Sequence, residues 1–144
     1  MFSNSYIFKY ASIMVIVVAA LLSAAAILLQ PAQERNVKIE KIQDILKSAN
    51  IESTTSNAEE LYSKHIVKEI LINSAGEEVS VYANGKFEKG DKRAFMVDLK
   101  AELKAKQQLK SGKGSQEPVF PLFLCRKGDA DLYIIPMYGT GLWG

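Results

Sequence analysis

With 144 residues and a formal charge of +2, the chain holds about one domain of polypeptide and has no lysine or arginine run to follow nucleic acid. The single cysteine, Cys125, excludes an internal disulfide and a cysteine-rich metal centre; in the apolar run 120–125 it reads as a small buried apolar residue. Charge is unevenly distributed, with only Lys9 preceding Glu34.

Residues 10–30 carry no charge and match the roughly 20 residues a helix needs to cross the hydrocarbon core. Ser3, Asn4 and Ser5 offer capping oxygens before the span, and Pro31 is the expected stop after it. A cleaved signal peptide is the rival reading, with Ala24 and Ala26 as a small-residue cleavage site. The apolar run continues past those alanines to Leu29 and exceeds the roughly 7–15 residues of a signal core, so an uncleaved anchor is expected. Lys9 favours an inside N-terminus, but Arg35, Lys38 and Lys41 compete, and charge alone leaves the orientation open.

Residues 33–49 read as a stalk helix, with Ile39, Ile42, Leu46 and Ala49 at three- and four-residue steps and Asn50 as its C-cap. A polar loop follows at 53–57, where Asn57 is placed to cap a short helix through Ala58, Leu61 and Tyr62. Residues 66–73 form a β-branched strand. Ser74-Ala75-Gly76-Glu77 turns it, and Val79, Val81 and Ala83 alternate on the return. Asn84-Gly85 is a tight-turn signal. Residues 92–109 read as a second amphipathic helix with Met96, Leu99 and Leu103 on one face. Ser111-Gly112-Lys113-Gly114-Ser115 is a flexible connector without phosphate-loop spacing. A closing hairpin pairs 119–126 with 131–137 around Lys127-Gly128-Asp129-Ala130. Its centre is apolar on both faces, which suits a sheet covered on both sides. About 110 residues follow the anchor, enough for a small core. The hairpin nevertheless asks for more partners than the other elements supply, so 132–138 is expected to lack a neighbour and to aggregate readily.

No active site is legible. His65, the sole histidine, has no serine, cysteine or aspartate partner in a recognisable arrangement and reads as solvated or capping. The acidic pairs Glu59-Glu60, Glu77-Glu78 and Asp129/Asp131 fall in helix starts and turns, where carboxylates solubilise. Gly139-Thr140-Gly141 reads as a tight turn, with an anion-binding nest as the alternative. No metal-ligand cluster is visible.

Three segments carry a family resemblance. They are the uncharged anchor running into a charged helix, the helix end Ile45-Leu46-Lys47-Ser48-Ala49-Asn50-Ile51, and Ile135-Pro136-Met137-Tyr138-Gly139-Thr140-Gly141-Leu142-Trp143. With Phe123-Leu124-Cys125-Arg126-Lys127-Gly128 before it, this last motif resembles the C subunit of the sodium-translocating NADH:quinone reductase. The resemblance implies an α/β chain: one N-terminal transmembrane helix, then the incomplete front part of an α+β FMN-binding-type domain. It divides the chain into a cytoplasmic N-terminus at 1–9, the anchor at 10–30, the stalk at 31–50 and a periplasmic body at 51–144. It implies a single-pass inner-membrane protein whose partners are the bilayer and the other subunits of a complex that oxidises NADH, reduces ubiquinone and exports sodium ions. In the family, FMN is joined to a threonine of a Ser-x-Ala-Thr motif downstream of Gly-Leu-Trp. Thr54, Thr55 and Thr140 are the threonines present, and none stands in that motif. No catalytic, cofactor-binding or metal residue is therefore carried over, and the chain is expected to be a truncated form that is inactive alone. The alternative is a complete membrane-anchored periplasmic scaffold without catalysis.

Overall fold

The computed structural model describes residues 4–139, so Leu142, Trp143 and most of the terminal glycine motif lie outside the described residues. The chain divides into two units, Met1–Lys41 and Ile42–Gly144.

The first unit is helix throughout its described residues. It forms the larger part of α1 (Asn4–Ser48). One stretch of α1 is long and apolar enough to cross a membrane, and none of that stretch is buried by protein. Ile13, Val15, Ile16, Leu21, Leu22 and Leu28 are all exposed, as side chains awaiting lipid must be. Pro31 does not stop the helix; it lies inside it. Proline forfeits one hydrogen bond, to the carbonyl four residues back, and strains the turn. Ala32, Gln33, Glu34 and Arg35 are strong helix formers that resume propagation at once. The Gln30 amide also donates to Glu34 at 2.8 Å across the same turn.

In the second unit, the end of α1 buries Ile42, Ile45, Leu46 and Ala49. Asn50 ends the helix as expected. It adopts a left-handed φ of 54°, so that Asn50 N donates to the Lys47 carbonyl and Ile51 N to that of Leu46, the paired bonds of a Schellman cap. Lys127 Nζ, from the end of a distant strand, donates to the freed carbonyls of Ala49 and Asn50 at 3.2 and 2.9 Å. A cation at a helix C-terminus also suits the helix dipole.

A five-stranded antiparallel sheet in the order β3-β2-β1-β4-β5 forms the body. Its strands are β1 (Ile66–Ile72), β2 (Glu78–Ala83), β3 (Lys86–Lys89), β4 (Phe120–Lys127) and β5 (Ala130–Ile134). β1 lies at the centre and its Ile70 and Leu71 are buried; β4 beside it buries Phe123, Leu124 and Cys125. Asn73 builds the first turn, its side-chain oxygen accepting from Ala75 N and Glu77 N at 3.0 and 2.9 Å. Asn84 and Gly85 both have positive φ, 51° and 76°, as a type I′ hairpin requires. The strand this turn feeds, β3, is not expected from sequence, because all four of its residues are exposed and three are charged.

Three other expectations are corrected. α2 (Ala58–His65) begins at Asn57, but the Asn57 side chain does not cap it; Asn57 Oδ1 accepts from Thr54 N at 2.7 Å inside the preceding turn. The second amphipathic helix does not start at Lys92. A short 3-10 turn (Ala94–Met96) precedes α3 (Leu99–Lys110), and Met96 is 73% exposed instead of packed. Asp98 sets the boundary: its carboxylate accepts from Lys100 N at 2.9 Å and Ala101 N at 3.4 Å, which holds the backbone extended just before α3. Finally, the closing hairpin is not covered on both sides. β4 is interior, but β5 lies at the sheet edge with its residues largely exposed. The expectation that this last strand lacks a neighbour holds among the described residues.

Gly90 marks a tight approach. Its φ is +67°, and a Cβ there would lie 2.6 Å from Ser80 Oγ and 2.8 Å from the Val79 carbonyl. The Ser80 hydroxyl is buried and shares its proton between the Lys89 and Lys92 carbonyls, at 3.0 and 2.8 Å. Gly90→Ala combines backbone strain with a clash, so it is expected to destabilise the body by about 2–4 kcal/mol. Thermal unfolding of the variant measures this, and an unchanged midpoint would contradict the geometry.

Candidate functional site

A hollow of about 810 Å³ opens where α2 meets β1 and where the β2–β3 and β4–β5 turns converge. Its volume lies in the range of small-molecule sites. Glu69 lies at its floor, on the central strand, and is only 3% exposed. A carboxylate so buried must be paired and hydrogen-bonded. The Tyr62 hydroxyl donates to Oε1 at 3.1 Å and Phe95 N to Oε2 at 3.0 Å. Arg93 clasps both oxygens, with Nη2 on Oε1 and Nε on Oε2. The outer face of the guanidinium stacks on Tyr82, 4.3 Å from the ring centroid. Tyr62 in turn meets Phe95 edge-to-face at 5.6 Å. Burial, followed by the facing Glu69 carboxylate, pushes the Tyr62 hydroxyl far above its ordinary pKa, so it stays a proton donor.

Every oxygen of Glu69 is thus engaged, and no buried side-chain nitrogen or oxygen among the described residues lacks a partner. A catalytic base needs a lone pair free for substrate. This network instead ties α2, β1 and the 3-10 turn together. Glu102 acts similarly at the start of β4: it is buried in α3 and accepts from Val119 N at 3.0 Å and from Lys92 Nζ at 3.5 Å.

His65 closes α2, and its Nδ1 lies 3.0 Å from the Arg126 carbonyl on β4, a crosslink 61 residues apart in sequence. Arg126 makes a two-pronged pair with Asp131 at 2.7 and 3.0 Å across the last hairpin. That hydrogen-bonded guanidinium holds the Asp131 carboxyl below its ordinary range. Glu59 and Glu60 lie exposed in the first turn of α2, where carboxylates suit the helix dipole. Glu77 accepts from the Asn73 amide at 3.0 Å in its turn. Cys125 has no exposed surface, and burial pushes its thiol pKa up, as an inert structural cysteine requires. The Gly139-Thr140-Gly141 nest falls largely outside the described residues. Among the described residues, no group of three or more histidine, cysteine, aspartate or glutamate side chains is placed to hold a metal.

Of the three threonines, Thr140 lies outside the described residues. Thr54 and Thr55 are exposed in a surface turn, and the Thr54 hydroxyl lies 2.9 Å from Ser56 Oγ. The neighbouring hollow, about 630 Å³, ends at Ser53 and carries Asp44 and Glu52 against a single Lys47. That lining opposes a phosphate. Sequence reasoning misses the Glu69–Arg93 pair. The available signal is one glutamate within the otherwise apolar second half of β1; its partner, 24 residues on, leaves no mark in the sequence.

No family model matches the chain. Among curated proteins it is 27% identical over 131 residues to the C subunit of the Na(+)-translocating NADH-quinone reductase of Haemophilus ducreyi, and 29% identical over 131 residues to the protein of the same name from Vibrio parahaemolyticus. Each match covers 89% of this chain and 49% or 50% of the relative. Among solved structures, the crystal structure of the C subunit from Parabacteroides distasonis superposes with a TM-score of 0.59 at 30% identity, covering 81% of this chain and 47% of that one. The chain spans about half the length of the relatives it matches. In sequence and in fold, it resembles the C subunits of the Na⁺-translocating NADH-quinone reductases.

Proposed function

We propose that the chain is a membrane-anchored structural part of such a C subunit, working within a complex that oxidises NADH, reduces ubiquinone and exports sodium ions. The single observation that carries this reading is the match over 89% of the chain, joined to a helix able to cross a membrane. The helix would hold the chain in the inner membrane, with the body on the periplasmic side. FMN, when bound in a protein of this kind, would supply one-electron and two-electron chemistry through its ring. No residue of this chain is assigned to hold it, since none of Thr54, Thr55 and Thr140 stands in a Ser-x-Ala-Thr motif. What the body supplies is a rigid frame: Glu69 pins the 3-10 turn, Glu102 pins the entry to β4, and Lys127 ties β4 to the end of α1.

Intact-mass measurement of the full chain, purified from flavin-sufficient cells that flavinylate their own reductase, tests the absence of a flavin threonine. The expected mass is that of the polypeptide alone. An added FMN, lost on Thr54→Ala, Thr55→Ala or Thr140→Ala, would overturn it.

A further inference from the structure

The hollow above Glu69 is unevenly charged. Lys64, Arg93 and Arg126 line it against one carboxylate among the described residues, Glu69 itself. That carboxylate is already spent, because Tyr62, Phe95 and Arg93 engage both of its oxygens. Asp131 pairs with Arg126 but does not line the hollow. Each guanidinium gives Nε and Nη2 to its carboxylate, which leaves Nη1 with two N–H donors and no bond among the described residues. Lys64 is exposed, and its ammonium group has no partner among the described residues. Ile66, Val67 and Ala83 add an apolar wall.

A concave surface lined by one sign of charge concentrates the potential inside it. Guanidinium N–H groups match the spacing of carboxylate and phosphate oxygens. We propose that this hollow reversibly binds a small organic anion, its carboxylate or phosphate held by Lys64, Arg93 and Arg126 and its carbon body set against Ile66, Val67 and Ala83. A volume of about 810 Å³ is ample for such a molecule. Arg93 is already oriented for the task, clasped by Glu69 on one edge and stacked on Tyr82, so little freedom is lost when the ligand arrives. Among the described residues no threonine lines the hollow, and the binding is ionic, not a phosphoester to the chain. The proposal goes beyond the reductase reading and does not depend on it.

The test is equilibrium dialysis of the full chain in a non-ionic detergent, at physiological salt and with empty micelles subtracted. Benzoate and phenyl phosphate are the probes. Saturable binding of at least one of them is expected, with a Kd of about 1 mM or tighter, and the better probe assigns the site to carboxylates or to phosphates. Phenol, which lacks the oxyanion, is expected not to saturate. Lys64→Glu and Arg126→Gln are each expected to weaken binding about tenfold, as the loss of one charge-assisted hydrogen bond does. Both side chains are exposed, so the variants should keep the melting midpoint of the unaltered chain. Lys104→Glu changes the net charge as Lys64→Glu does, but Lys104 is exposed on α3 and outside the lining, so binding should be unchanged. Failure of both anions to saturate below about 10 mM overturns the proposal. Phenol binding as tightly as the anions overturns it too, because the hollow is then only apolar. Equal weakening by Lys104→Glu also overturns it, because the attraction is then diffuse. Co-purification with reductase subunits is a separate measurement, and none of these outcomes alters it.

Discussion

Glu69→Leu is expected to destabilise the body by about 2–4 kcal/mol, chiefly through the groups it abandons rather than through the volume it changes. The Arg93 guanidinium, the Tyr62 hydroxyl and the Phe95 amide all lose their acceptor at once. The fuller cost of breaking a buried ion pair is tempered here, because Arg93 is about one-third exposed and can turn toward water. Thermal unfolding of the full chain in detergent measures the effect. A double-mutant cycle with Arg93→Leu should return a coupling energy of about 0.5–3 kcal/mol, since removing both partners leaves fewer groups stranded than removing one. An effect below about 0.5 kcal/mol, typical of an exposed surface site, would mean that Glu69 does not pin the 3-10 turn to the sheet.

The second large effect concerns the anchor. Val18→Lys combined with Leu21→Lys places two ammonium groups near the middle of the apolar span. Each costs roughly 2.5–3.5 kcal/mol at a helix centre on insertion scales. The double variant is expected to leave the membrane pellet for the supernatant after alkaline washing, while the unaltered chain stays in the pellet. N-terminal sequencing of the mature chain separates anchor from signal peptide. A start at or next to Met1 supports the anchor, and a start near Ile27 would make residues 1–26 a removed signal. Because Val18 and Leu21 face outward, the substitutions disturb no packed core, and a loss of membrane association reports on lipid contact itself.

What is legible in the sequence follows from how local each cause is. The apolar span depends only on composition over some twenty residues, and it reads directly. Asn50 and Asn84-Gly85 are legible because left-handed backbone is acceptable to few residue types. The boundary at Asp98 is hidden because its apolar neighbours continue a helical period while its own carboxylate stops the helix. In the same way, Pro31 suggests its usual effect, and the strong helix formers after it outweigh that effect. β3 has no hydrophobic pattern to detect; it exists because Asn84-Gly85 folds it back onto β2. The buried carboxylates Glu69 and Glu102 are invisible for a different reason. Their partners, Arg93, Phe95 and Val119, come from separate elements, and only the folded sheet brings them within reach. The family resemblance rests on short motifs, and the similarity to the relatives extends it over most of the chain.

The most direct test of the proposed function is to express the full chain, with a C-terminal affinity tag, in a bacterium that carries the sodium-translocating reductase, solubilise the membranes gently and quantify what co-purifies by mass spectrometry. The other reductase subunits are expected to be enriched with the chain in near-fixed ratio, and the Val18→Lys/Leu21→Lys variant is expected to lose them. A chain recovered from the membrane at full yield without reductase subunits, beside an intact complex that excludes it, would contradict membership of that complex.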